Sequence, residues 1–110
     1  MQERLNRLKA AIAAAKPSIG LWCSLASALT TEVVAGSGAE WLLIDSEHSP
    51  NDLRSIMAQL QVLGGYPCEG VVRLPTDDAA AIKQAMDVGA RSLMILTCAQ
   101  PSRPAPWSPP

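Results

Sequence analysis

The 110-residue chain holds a single histidine, and its setting could do chemistry. WLLIDSEHSPND, Trp41 to Asp52, runs from apolar residues into acid, serine, acid, histidine and proline. An imidazole is the side chain best matched to moving protons near neutral pH. Asp45, three residues before His48, could hold that ring in one tautomer and raise its basicity. Arg73, which closes VVRLP, would present a guanidinium on the same strand-end rim as the imidazole. Asp87 stands in the last turn of a helical pattern, where a negative charge opposes the helix dipole and costs a little without a partner. Spacing alone leaves plainer readings open. His48 could be a solvated turn residue, Arg73 a snorkelling strand-end cation and Asp87 a tolerated surface acid.

The remaining candidates narrow the chemistry. Glu47 could ligate a metal, but one carboxylate beside one histidine is an incomplete site for a divalent ion. Ser46 and Ser49 flank the histidine without the G-x-S-x-G of a nucleophile elbow. Cys23, Cys68 and Cys98 share no C-x-x-C spacing, so they read as small buried thiols rather than as a zinc site or disulfide framework. Trp22, at the end of an apolar run, packs or walls a pocket. A net charge of -1 with nine unclustered basic residues gives no footprint for nucleic acid. No apolar run reaches the length of a membrane span or has the form of a signal peptide, so the expectation is a cytoplasmic protein with no membrane partner.

Alternating elements must position these residues. Leu5, Leu8, Ile12 and Ala15 mark an amphipathic helix over Gln2 to Ala15, stopped by Pro17. SIGLWCSL reads as a strand, and LTTEVVAGSG as a helix capped by Thr30 or Thr31. AEWLLIDS is a second strand. Asn51 or Asp52 caps LRSIMAQLQVLGG, with Leu53, Ile56, Met57, Leu60 and Leu63 as its apolar stripe. CEGVVRLP, DAAAIKQAMDVGA and RSLMIL follow as strand, helix closed by Gly89, and strand. Strands apolar on both faces and joined by helices predict a parallel α/β sheet, either a barrel or an open doubly wound sheet. Neither G-x-G-x-x-G nor a Walker-type loop is present, and the G-S-G at Gly36 to Gly38 ends a helix instead of opening one. The chemistry of such folds collects at the strand ends, where His48 and Arg73 both fall.

The sequence changes character at Thr97. TCAQPSRPAPWSPP holds five of the nine prolines and no helical pattern. A GC-rich back-translation of that tail, read from the third base of its first codon, gives VRSAEQARAVVAA, a helix-forming string. The expectation is therefore an N-terminal barrel portion over residues 1–96, then a disordered proline-rich tail over 97–110 put out of frame by a one-base deletion near Ile95 or Leu96. A flexible proline-rich tail and a polyproline ligand are the plainer alternatives, the ligand lacking an arginine-flanked repeat. With it goes a second functional class, a non-enzymatic α/β binding module whose tail engages a partner.

GLWCSLAS, SGAEWLLIDSEHSPND, VVRLP and IKQAMDVGARSLMI together resemble, in order and spacing, the opening portion of the HpcH/HpaI aldolase family. D-x-E-H-x-P is the specific part. The resemblance implies an incomplete (β/α)8 TIM barrel, comprising the first three βα units and a fourth strand. It implies a class II carbon–carbon lyase that cleaves 4-hydroxy-2-oxo acids to pyruvate and an aldehyde. The residue matching His48 would be the general base, acting through water. Arg73 would stabilise the developing oxyanion, Asp87 would raise the histidine's basicity, and Asp45 matches the family's acid three before the histidine. The family uses a divalent metal (Mg, Mn or Co) whose glutamate and aspartate ligands match no position here, so the portion is expected to be inactive alone. A small 2-oxo acid as substrate and a homo-oligomeric assembly are also implied. A half-barrel would leave unpaired sheet edges and uncovered apolar surface.

Overall fold

A computed structural model describes residues 6–95. Leu5, Cys98 and the proline-rich tail lie outside the described residues. The elements run α1 (Arg7–Ala13), β1 (Gly20–Cys23), α2 (Ala28–Ala35), β2 (Trp41–Asp45), α3 (Leu53–Leu63), β3 (Glu69–Leu74), α4 (Ala79–Asp87) and β4 (Ser92–Ile95). All four strands are parallel and stand in the order β1-β2-β3-β4. A doubly wound sheet reverses its direction of growth at a switch point, whereas a barrel wall adds each strand beside the last. The observed order is that of a barrel wall.

The two-residue period of the strands divides the sheet's faces. Cys23, Leu42, Ile44, Val72 and Leu74 point toward the helices and form the core with Ala35, Ile56, Leu63 and Ala85. The alternate positions, Trp22, Leu43, Asp45, Val71 and Arg73, share the opposite face. At Gly70 the helix layer comes so close that a Cβ would stand 2.9 Å from both Leu60 and Leu63 of α3. The missing side chain lets α3 seat directly on β3.

Capping chemistry fixes where the helices start. Ser27, not Thr30 or Thr31, caps α2: its hydroxyl accepts from the Thr30 N–H at 3.3 Å. Thr31 falls one turn inside and is buried. Asp52 caps α3 in a reciprocal box with Ser55. The buried face of α3 is Ile56, Gln59 and Leu63, while Leu53 and Met57 of the expected stripe stay a little over a third exposed (39% and 38%). The helix is thus rotated enough to bring an amide inward.

At the strands' starting end, Glu69 accepts a bidentate pair from Arg91 Nη2 at 2.9 and 3.0 Å and the Arg7 N–H at 3.1 Å, tying α1 across that rim. β1 and β4 are each paired on one side only among the described residues. Apolar side chains stand uncovered beside β1, with Leu25, Leu29 and Val33 about 70% exposed (72%, 72% and 69%). No helix among the described residues is long and apolar enough to cross a membrane.

This division of faces gives a contrast in stability. Ile44→Ala, in the closed core, should cost about 2–5 kcal/mol, while Leu29→Ala should stay within about 0.5 kcal/mol. Denaturant midpoints measure both, and equal losses would contradict the assigned core.

Candidate active site

Asp45 and Arg73 are register partners on adjacent parallel strands, so their side chains leave the sheet on the same face. Arg73 Nε donates to Asp45 Oδ1 at 3.0 Å and Nη2 to Oδ2 at 2.8 Å. Both side chains are buried, and a fork-on-fork pair satisfies the carboxylate with the geometry that favours burial of charge. Trp22 of β1 adds a third constraint, its ring 4.6 Å from the guanidinium carbon. Arg73 Nη1 has no acceptor among the described residues.

The same carboxylate shapes the turn that follows. Asp45 Oδ1 also accepts the N–H groups of Glu47 at 2.8 Å and His48 at 3.3 Å. Ser46 is tied by its N–H to the Arg73 carbonyl at 3.0 Å. His48 therefore leaves the sheet at a set point, with its ring 73% exposed and Nε2 3.1 Å from Glu47 Oε1. The other Glu47 oxygen stands 3.9 Å from Arg73 Nε, so Glu47 bridges the imidazole and the buried ion pair.

This arrangement corrects the reading of Asp45 and places Asp87 apart from the imidazole within the chain. Asp45 does not hold the imidazole: its oxygens are taken by Arg73 and by backbone N–H groups, and the acid beside the ring is Glu47. Asp87 is not on the same rim. It ends α4, which starts after the end of β3 and runs about 13 Å back toward the start of β4. Since Ser92 registers with Val71, Asp87 lies toward the strands' starting end and is solvent-exposed, and no bond joins it to His48 among the described residues. Trp22, read as packing or pocket wall, stacks on the arginine. Glu47, which the sequence offers only as an incomplete metal ligand, is the acid beside the ring, and its adjacency to His48 is the signal that points there. Asn51 carries only a helix-cap signal in the sequence, and Gln59 none beyond polarity.

Arg73, followed by burial and turn N–H groups, acts on the Asp45 carboxyl, and the net effect holds it at about 2 instead of 3.8. The guanidinium is in turn pushed further up by Asp45. Burial raises the Cys23 thiol, which fits a core residue and not a nucleophile. The described residues hold no group of three or more His, Cys, Asp and Glu able to bind a metal ion, and Asp45 has no free oxygen to offer. The described residues do not make up a divalent-ion site.

The model of the family described as HpcH/HpaI aldolase/citrate lyase matches residues 18–100. A 4-hydroxy-2-oxovalerate aldolase of Rhodococcus jostii is 50% identical over 96 residues, 86% of this chain and 37% of that protein. A hydroxypyruvate/pyruvate aldolase of Agrobacterium fabrum is 51% identical over 90 residues, 82% of this chain and 34% of that protein. Among solved structures, an HpcH/HpaI aldolase/citrate lyase family protein from Burkholderia cenocepacia superposes with a TM-score of 0.79 at 41% identity, over 83% of this chain and 37% of that one. The chain thus spans about a third of the length of these relatives, and its four-stranded wall is the corresponding part of their barrel.

The Asp45 carboxyl is lowered by folding, so its contribution to stability is full above pH 3.8 and is lost as pH falls toward about 2. Asp45→Asn should cost about 3–5 kcal/mol at neutral pH by leaving Arg73 unpaired. It should also flatten the loss of stability between pH 4 and 2. Urea midpoints across that window test this, and an unchanged acid slope in the variant would refute it.

Proposed function

Because the chain belongs to the HpcH/HpaI aldolase/citrate lyase family, we propose that it corresponds to the N-terminal portion of a carbon–carbon lyase that cleaves 4-hydroxy-2-oxo acids to pyruvate and an aldehyde. The observation that carries the reading is the pinned Arg73, with Nη1 free on the rim where His48 leaves the sheet.

Retro-aldol cleavage requires removal of the proton on the C4 hydroxyl. The C3–C4 bond then breaks, the aldehyde departs, and its electron pair passes through C3 to the C2 carbonyl as an enolate. Returning a proton to C3 completes pyruvate. His48, exposed and on a tethered turn, is the chain's proton acceptor, working through a water, and Glu47 orients its ring. Arg73 Nη1 is the donor for the substrate's carboxylate or developing oxyanion. Its guanidinium is held beforehand by Asp45 and Trp22, so little reorganisation accompanies the charge.

The role carried over for Asp87 is compatible with this fold only if the acid reaches His48 from a second copy, in line with the oligomer that the resemblance implies. The divalent metal of such enzymes would polarise the 2-oxo acid. Its donors are to be sought in the two thirds of the relatives' length that the chain does not span.

Pyruvate release from a 4-hydroxy-2-oxo acid with added Mg, Mn or Co tests the reading, comparing this chain with a version restored to the relatives' length. Activity is expected in the restored protein alone, and His48→Ala should lower kcat by about 10²–10⁴-fold. A silent restored protein, or a fully active His48→Ala variant, would defeat it.

A further inference from the structure

Behind the His48 turn lies a line of buried polar side chains outside the Asp45–Arg73 ion pair. Gln59 is 1% exposed and Thr31 1%. Thr31 of α2 donates to Gln59 Oε1 at 2.7 Å, and Gln59 Nε2 donates to Asn51 Oδ1 at 2.6 Å and to the Ser55 carbonyl at 2.9 Å. Asn51 Nδ2 donates to the Asp45 carbonyl at 2.8 Å and to Ser49 Oγ at 3.1 Å, and its Oδ1 accepts a second bond from Ser55 Oγ at 2.8 Å. Ser49 Oγ is also bonded to the Asp45 carbonyl. Every donor and acceptor position of the Asn51 amide is filled.

Helix packing does not account for this amide pair. An apolar side chain at 59 would join α2 to α3 without the desolvation cost of an amide. What the amide adds is reach: from the middle of α3 it extends to the segment between Asp45 and Asn51, which contains both Glu47 and His48. A fully satisfied buried network rigidifies what it touches, and here it grips the turn at its first and last residues. We propose that Asn51 and Gln59 are positioning residues, a buried amide pair that fixes the strand-end turn from behind and so sets where His48 and Glu47 stand. The consequence for catalysis rests on the aldolase reading, whereas the positioning does not.

The test uses the 110-residue chain and no substrate. Its one histidine gives one ring Cε1–Hε1 resonance, and the Glu47 N–H, bonded to Asp45, reports closure of the turn. In Gln59→Met, solvent exchange of the Glu47 amide should rise about tenfold, the order expected for one lost hydrogen bond, and the His48 signal should shift. The Val71 and Val72 amides should change less than about twofold. Loss of overall stability with the Glu47 amide and His48 signal unmoved would overturn the proposal. If Gln59→Met does not fold, Gln59→Glu, which keeps the shape and the Thr31 bond but replaces the two Nε2 donors with a carboxyl oxygen that has at most one proton to give, decides by the same two readouts. Because neither depends on turnover, failure of the aldolase reading would leave this result standing.

Discussion

The buried pair of Asp45 and Arg73 is the constraint on which the strand-end site depends. Parallel register sets the two residues opposite each other, and a slip of one residue would turn one of them toward the helix layer. The pair therefore locks the strands to each other as well as its own charges. Its carboxylate also receives two N–H groups of the following turn. One side chain thus joins the register of the sheet to the direction of the loop and the placement of the guanidinium.

The strands and the rim that carries His48 and Arg73 were legible because continuous apolar runs and turn residues are local signals, whereas pattern alone left the strand order of a barrel and of a doubly wound sheet both open. GLWC, WLLID and EGVVRL fall inside the segments that pattern alone marks out. Local signals fail where a partner across the fold decides. Asp45 is as close in sequence to His48 as a helper acid would be, yet Arg73, 28 positions away, takes it. Asp87 belongs to a helix whose direction, invisible in composition, carries it to the other end of the sheet. Thr31 looks like a cap and is a buried donor, because Ser27 begins the helix a turn earlier.

The two rims are built alike and used differently. Each has an acid–arginine pair, Asp45–Arg73 at the strand ends and Glu69–Arg91 at the strand starts, and the two acids share one face of the sheet. At the starting rim the remaining bonds go to the α1 backbone and close that end. At the other they go to a tight turn that leaves an imidazole in solvent and one guanidinium nitrogen free. What separates them is the element each pair recruits, a helix in one case and a loop in the other.

The sequential strand order also sets a timetable. Each strand meets its neighbour just after the connecting helix has been made, so the wall can lengthen in the direction of synthesis with little loop-closure cost. The His48 turn is the exception. Asp45 emerges from the ribosome 28 residues ahead of Arg73, and until the arginine follows, its carboxylate has only backbone N–H groups to bind. The site becomes fixed in the nascent chain when β3 docks, one βα unit after its histidine has been synthesised.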